Sequence, residues 1–110
     1  MKNTNWKPIS RSALGVLINT CCNQMDMFQR RLWEVIKIEP VKWEQHPSGD
    51  RGQGFWVVAI IGNVVVYYND IEEGFNRSRY SKYGVIDHYF CDQDELQWTM
   101  QHILNEIINK

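Results

Sequence analysis

A chain of 110 residues with 44% hydrophobic and 13% aromatic residues is long enough to form one domain, residues 1–110, around a buried core, and its composition excludes a disordered polymer. The near balance of 12 Lys/Arg against 13 Asp/Glu, a net charge of -1, argues against a protein that works by neutralising nucleic-acid phosphates. No apolar run approaches the roughly 20 residues of a membrane span, and Cys21, Cys22 and Cys91 cannot all pair within one chain, so reduced thiols in a cytoplasmic protein with no membrane contact are expected.

In chain order, Ser10 is an N-cap candidate, and Leu14, Leu17, Ile18, Cys21, Met25 and Phe28 recur at helical steps behind it. Gly15 weakens this helix, so a close packing contact is expected there. Leu32 to Trp43, rich in Val, Ile and Trp, reads as a strand, with Pro40 marking an edge or a bulge. His46 to Gly54 has the composition of a connection. Phe55 to Ile61 and Val64 to Tyr68 are β-branched and aromatic runs joined by Gly62 and Asn63, a hairpin turn that needs positive φ. Asn69 to Gly84 reads as a structured surface excursion, and Val85 to Phe90 as a fourth strand. Asp92 and Glu95 form a capping-box pattern for a closing helix whose buried face is Leu96, Met100, Ile103, Leu104 and Ile107. The expected fold is therefore α+β, an antiparallel meander of three to four strands flanked by an N-terminal and a C-terminal helix.

Chemistry is sparse. His88 and Cys91 are the only His and Cys close in sequence, with no second pair at ligand spacing, so neither a metal nor another cofactor is expected. A small enzyme using Cys91 with His88 and Asp87 or Asp92 is an alternative, but nothing in the pattern lowers that thiol's pKa. Gly49, Gly52 and Gly54 lead into a strand and lack a following Lys-Ser/Thr pair, which sets them apart from a phosphate loop. Arg77, Arg79, Tyr80 and Lys82 could stack on single-stranded nucleic acid, although pairing of these arginines with Glu72 and Glu73 is the plainer expectation.

Residues 1–53 hold eight Lys/Arg and five Asp/Glu; residues 54–110 hold four and eight. The acidic half carries Tyr67 to Glu95, where aromatic rings alternate with carboxylates, a mixture suited to anchoring and steering a basic protein partner. Small size, absence of catalytic motifs, helix-meander-helix order and the stretch Tyr68-Asn69-Asp70-Ile71-Glu72-Glu73-Gly74-Phe75 together resemble the immunity proteins of bacterial polymorphic toxin and contact-dependent growth inhibition systems. That resemblance implies a cytoplasmic protein, not an enzyme, that binds and neutralises a toxin domain, commonly a basic nuclease. The expected contact residues are Tyr68, Asp70, Glu72, Glu73, Phe75 and Tyr80, in a monomer or a homodimer paired through a sheet edge.

Overall fold

The computed structural model describes residues 6–109. Ser10 Oγ accepts the Ala13 N–H at 3.1 Å and starts α1, Arg11–Cys22. A second start follows at once. Asp26 Oδ1 accepts the Gln29 N–H at 2.8 Å while Gln29 Oε1 accepts the Asp26 N–H at 2.9 Å, a reciprocal cap that opens α2, Met27–Ile36. The stripe expected to run through Phe28 therefore stops with α1, and Phe28 is 63% exposed. Leu32 to Ile36, expected as strand, is helical, because Gln29, Trp33 and Ile36 share one buried face at steps of four and three.

Strand β1, Lys37–Trp43, begins only where α2 ends. Its pairing is irregular between Lys37 and Val41, which is where Pro40 sits, and it forms an edge of the sheet, as the proline requires. A 3-10 turn at Asp50–Gly52 precedes the hairpin of β2, Phe55–Ile61, and β3, Val64–Asn69. Gly62 turns this hairpin at φ +58°, the left-handed region that glycine enters without strain. A register shift between Val57 and Ala59 places both Val58 and Ala59 in the core on the helical side.

The segment Asn69 to Gly84 is not an excursion but contains β4, Gly74–Arg79, paired residue for residue with β3 from Asn69↔Gly74 to Val64↔Arg79. Its polar composition hid it: Asn76, Arg77, Ser78 and Arg79 supply little of the apolar alternation by which strands are recognised. Val85 to Phe90 is correspondingly no fourth strand; Val85 makes only an isolated parallel bridge with Glu44. The capping box at Asp92 does not form. Helix α3, Leu96–Ile108, starts at Glu95, and the Asp92 backbone is bound instead by the Asn76 side chain.

The four strands lie in the order β1-β2-β3-β4, all antiparallel, which establishes an α+β meander. All three helices pack on one face, where Leu14, Cys21, Trp33, Ile36, Leu96, Met100 and Ile103 meet Val58, Val66, Tyr68 and Phe75. Leu104 is half-buried and Ile107 exposed, so the α3 stripe thins toward its end. Gly15 has no atom near enough to require a glycine, and nothing in the structure explains it. Among the described residues no helix is long and apolar enough to cross a membrane.

The opposite face carries Trp43, Phe55, Val57, Val65, Tyr67 and Ile86, covered by an irregular strap, residues 80–94. Side chains of β3 and β4 hold this strap. Ser78 Oγ accepts the His88 N–H at 2.9 Å, Tyr67 Oη accepts the Phe90 N–H at 2.7 Å, and Asn69 Nδ2 donates to the Phe90 carbonyl at 2.9 Å. Asn76 takes both the N–H and the carbonyl of Asp92, at 2.9 and 3.0 Å. Burial pushes the Tyr67 hydroxyl up to about 12, so it remains a neutral donor and acceptor throughout the physiological range. Replacing Tyr67 by Phe keeps the ring and leaves the Phe90 N–H unpaired; a loss of about 1–3 kcal/mol in urea denaturation is expected, with faster amide exchange at Phe90.

Candidate functional site

The acidic turn joins β3 to β4. Asn69, fully buried, turns its Oδ1 to the N–H groups of Ile71 and Glu72 at 3.0 and 3.2 Å, which closes an Asx turn, and Glu73 completes it at φ +61°. Gly74 follows against the strap. A Cβ on it would lie 2.2 Å from the Asp92 carbonyl, so only glycine permits the approach. Phe75 N–H then donates to the Asp94 carbonyl at 2.8 Å, and Gln93 Nε2 to the Glu72 carbonyl at 3.1 Å. Two acidic segments 22 residues apart in sequence, Asp70–Glu73 and Asp92–Glu95, thus meet at one end of the sheet.

The six residues expected to form a contact do not stay together. Tyr68 and Phe75 are 7% and 2% exposed, packed as a tilted ring pair with centroids 4.8 Å apart in the helical core, and burial removes them from any contact surface. Tyr80 sits at the other end of β4, half-buried edge-on against Trp43 at 5.1 Å with its hydroxyl on the Gly62 carbonyl. Glu72 is half-buried and Glu73 exposed, and both line a shallow depression with Ile71 and Gln93. The arginines do not pair with them: Arg77 bridges to Glu106 on α3 at 2.7 Å. Trp98, half exposed on the first turn of α3, was absent from the sequence expectation. Its position opposite the Leu96, Met100 and Ile103 stripe is the signal that marks it as outward-facing.

Asp70 faces inward and holds residues 6–9. Its Oδ2 accepts the Ile9 N–H at 2.8 Å, its carbonyl accepts Trp6 Nε1 at 3.2 Å, and Trp56 Nε1 donates to the Ile9 carbonyl at 3.0 Å. Desolvation pushes the Asp70 carboxyl up, against the pull of the Ile9 N–H and of Lys42, and among the described residues its buried Oδ1 has no hydrogen-bond partner. A carboxyl raised in the folded state favours the fold when protonated; that contribution is complete below the ordinary range and disappears as pH rises through the raised value. Asp70→Asn keeps an acceptor for Ile9 and removes the buried charge. It is therefore expected to melt higher than the wild type at neutral pH and to lose that advantage in strongly acidic buffer, as thermal denaturation at both pH values checks.

The remaining chemistry-bearing residues are scattered. Burial raises the thiols of Cys21 and Cys22, as desolvation does for any group that must ionise. Cys91 and His88 are both exposed, and no hydrogen bond joins them among the described residues; the His88 ring lies against Phe90 at 5.9 Å. His46 is bracketed by Glu44 and Asp50, whose hydrogen bonds raise its imidazole. Among the described residues no three His, Cys, Asp or Glu side chains are grouped as a metal ion needs. No protein-family model, curated protein or solved structure matches the chain.

Proposed function

We propose that the chain is a binding protein of the immunity type, which neutralises a basic toxin domain by direct contact. The observation that carries this reading is the convergence of Asp70–Glu73 with Asp92–Glu95 at one end of the sheet. Carboxylates gathered at one end of a small domain raise the encounter rate with a basic surface. Exposed Ile71 within the turn and exposed Trp98 on the first turn of α3 supply the apolar area that slows dissociation. The buried rings of Tyr68 and Phe75 serve the same surface from beneath, by holding the turn in place.

Co-expression with the product of the neighbouring upstream gene tests the reading. A toxin domain is expected there, neutralised by and co-purifying with this chain; a gene of unrelated metabolism ends the idea. With the partner in hand, Glu72→Lys combined with Glu73→Lys is expected to slow association about tenfold or more at low salt and to leave the melting temperature unchanged. Trp98→Ala is expected to speed dissociation by about 30-fold, the equivalent of roughly 2 kcal/mol. Wild-type rates in both variants would move the contact to another surface.

A second reading has its own observation. Beyond the outer edge of β4 lies an open concavity of about 880 Å³ lined by Arg77, Arg79, His88 and Phe90, which suits the phosphate and base of a single strand. It predicts a gel shift of a labelled oligonucleotide that weakens with salt and with Arg79→Ala, and no shift at low salt removes it.

A further inference from the structure

We propose that the outer edge of β4 is a docking site for one extended segment of a partner protein, which adds to the sheet as a fifth strand and places a carboxylate against Arg79. β4 is the last strand in the order β1-β2-β3-β4, so within the sheet it pairs on one side only. The turn fixes its alternation. The Tyr80 N–H donates to the Asn63 carbonyl at 3.0 Å, so Tyr80 and, two by two before it, Ser78, Asn76 and Gly74 direct their backbone groups toward β3. Phe75, Arg77 and Arg79 therefore direct theirs outward. The strap meets them at both ends, since the Phe75 N–H donates to the Asp94 carbonyl at 2.8 Å and the Arg79 carbonyl accepts the Asp87 N–H at 3.3 Å. Between those two bonds the strap leaves the edge and crosses the face of the sheet, held by the side chains of Ser78, Tyr67 and Asn76. The Phe75 and Arg77 carbonyls and the Arg77 and Arg79 N–H groups, all outward, are left without a hydrogen bond among the described residues.

Acceptor, donor, acceptor and donor in a row at strand spacing are matched by another peptide backbone. A nucleic-acid strand offers phosphate oxygens, which accept but do not donate, and leaves the two carbonyls unanswered. The concavity of about 880 Å³ runs along this edge, with Asn105 and Glu106 of α3 on one side and His88 and Phe90 of the strap on the other. A second copy would bring its own α3 and strap to the same place, and antiparallel pairing about Arg77 would set two arginines directly opposite each other. Charge selects the side chains of the incoming strand. Arg77 is already bridged to Glu106 at 2.7 Å, whereas Arg79 is exposed and forms no ion pair among the described residues. Phe75, Arg77 and Arg79 share the helical face, so the carboxylate belongs on that face at the position beside Arg79. On the strap face Phe90, 45% exposed, offers its ring to an apolar side chain at a neighbouring position. The docking edge needs no toxin and stands independently of the immunity reading.

The test follows amide exchange of the ¹⁵N-labelled full chain, free and with a capped heptapeptide of alternating valine and threonine that carries one glutamate. In the free chain the Arg77 and Arg79 amides are expected to exchange fast, while those of Asn76 and Ser78, bonded to β3, are protected. The peptide is expected to bind with a millimolar dissociation constant and, near saturation, to slow exchange at Arg77 and Arg79 by about tenfold. Its fully N-methylated analogue, which has no backbone donors, is expected not to bind. Arg79→Glu, at an exposed position, should weaken the glutamate peptide by about threefold or more and favour a peptide with lysine in place of that glutamate. Protected Arg77 and Arg79 amides in the free chain at every concentration, absence of peptide binding, or equal binding of the N-methylated analogue would each overturn the assignment. Protection of these amides by an oligonucleotide and not by the peptide would give the edge to nucleic acid, and protection that grows with chain concentration alongside a sedimenting dimer would give it to a second copy; either result also overturns it.

Discussion

The strap over the second face of the sheet has no ladder of its own: beside its backbone bonds to Glu44, Asn63, Phe75 and Arg79, its backbone groups find partners among side chains. Tyr67, Asn69, Asn76 and Ser78 provide them. Tyr67 and Asn76 are directly paired across β3 and β4, and Asn69 and Ser78 stand two residues from them on the same face. These four polar side chains do what a fifth strand would otherwise do: they close one face of the sheet, bury Phe55, Val57 and Val65, and deliver residues 92–95 to the start of α3. Each bond contributes modestly, yet an unpaired buried donor costs more than the bond returns, and the set therefore acts together.

From that constraint follows the shape of the acidic end. Asn69 serves two tasks at once, since its amide holds the strap at Phe90 and its oxygen closes the turn at Ile71 and Glu72. Gly74 lets the turn and the strap touch, and the Phe75 to Asp94 bond fastens them. The negative charges converge because the backbone brings them together, against their mutual repulsion. Asp70 departs from its neighbours: its carboxylate is spent on residues 6–9 and not on the surface.

Much of the candidate site was legible as charge and little of it as geometry. Glu72 and Glu73 are accessible as their polar context implied, but an alternating strand cannot by its composition say which rings point inward, and Tyr68 and Phe75 went to the core. The pattern Asn69, Asn76 and Ser78 signals polar residues on a face that the neighbouring valines mark as buried, and such residues must have partners.

The sequence by itself determined the α+β class, the Gly62 hairpin, the Ser10 cap, the edge-or-bulge reading of Pro40 and the Leu96, Met100 and Ile103 part of the buried face of α3, which depend on local chemistry within a few residues. Only the tertiary structure decided that Leu32–Ile36 is helix, that β4 lies at Gly74–Arg79 and that Val85–Phe90 is a strap. In the first case the Asp26–Gln29 cap and the burial of Trp33 and Ile36 outweigh the strand preference of β-branched residues. In the other two, a polar segment became a strand because β3 offered it a full ladder, and an apolar one did not because β4 was already in its place.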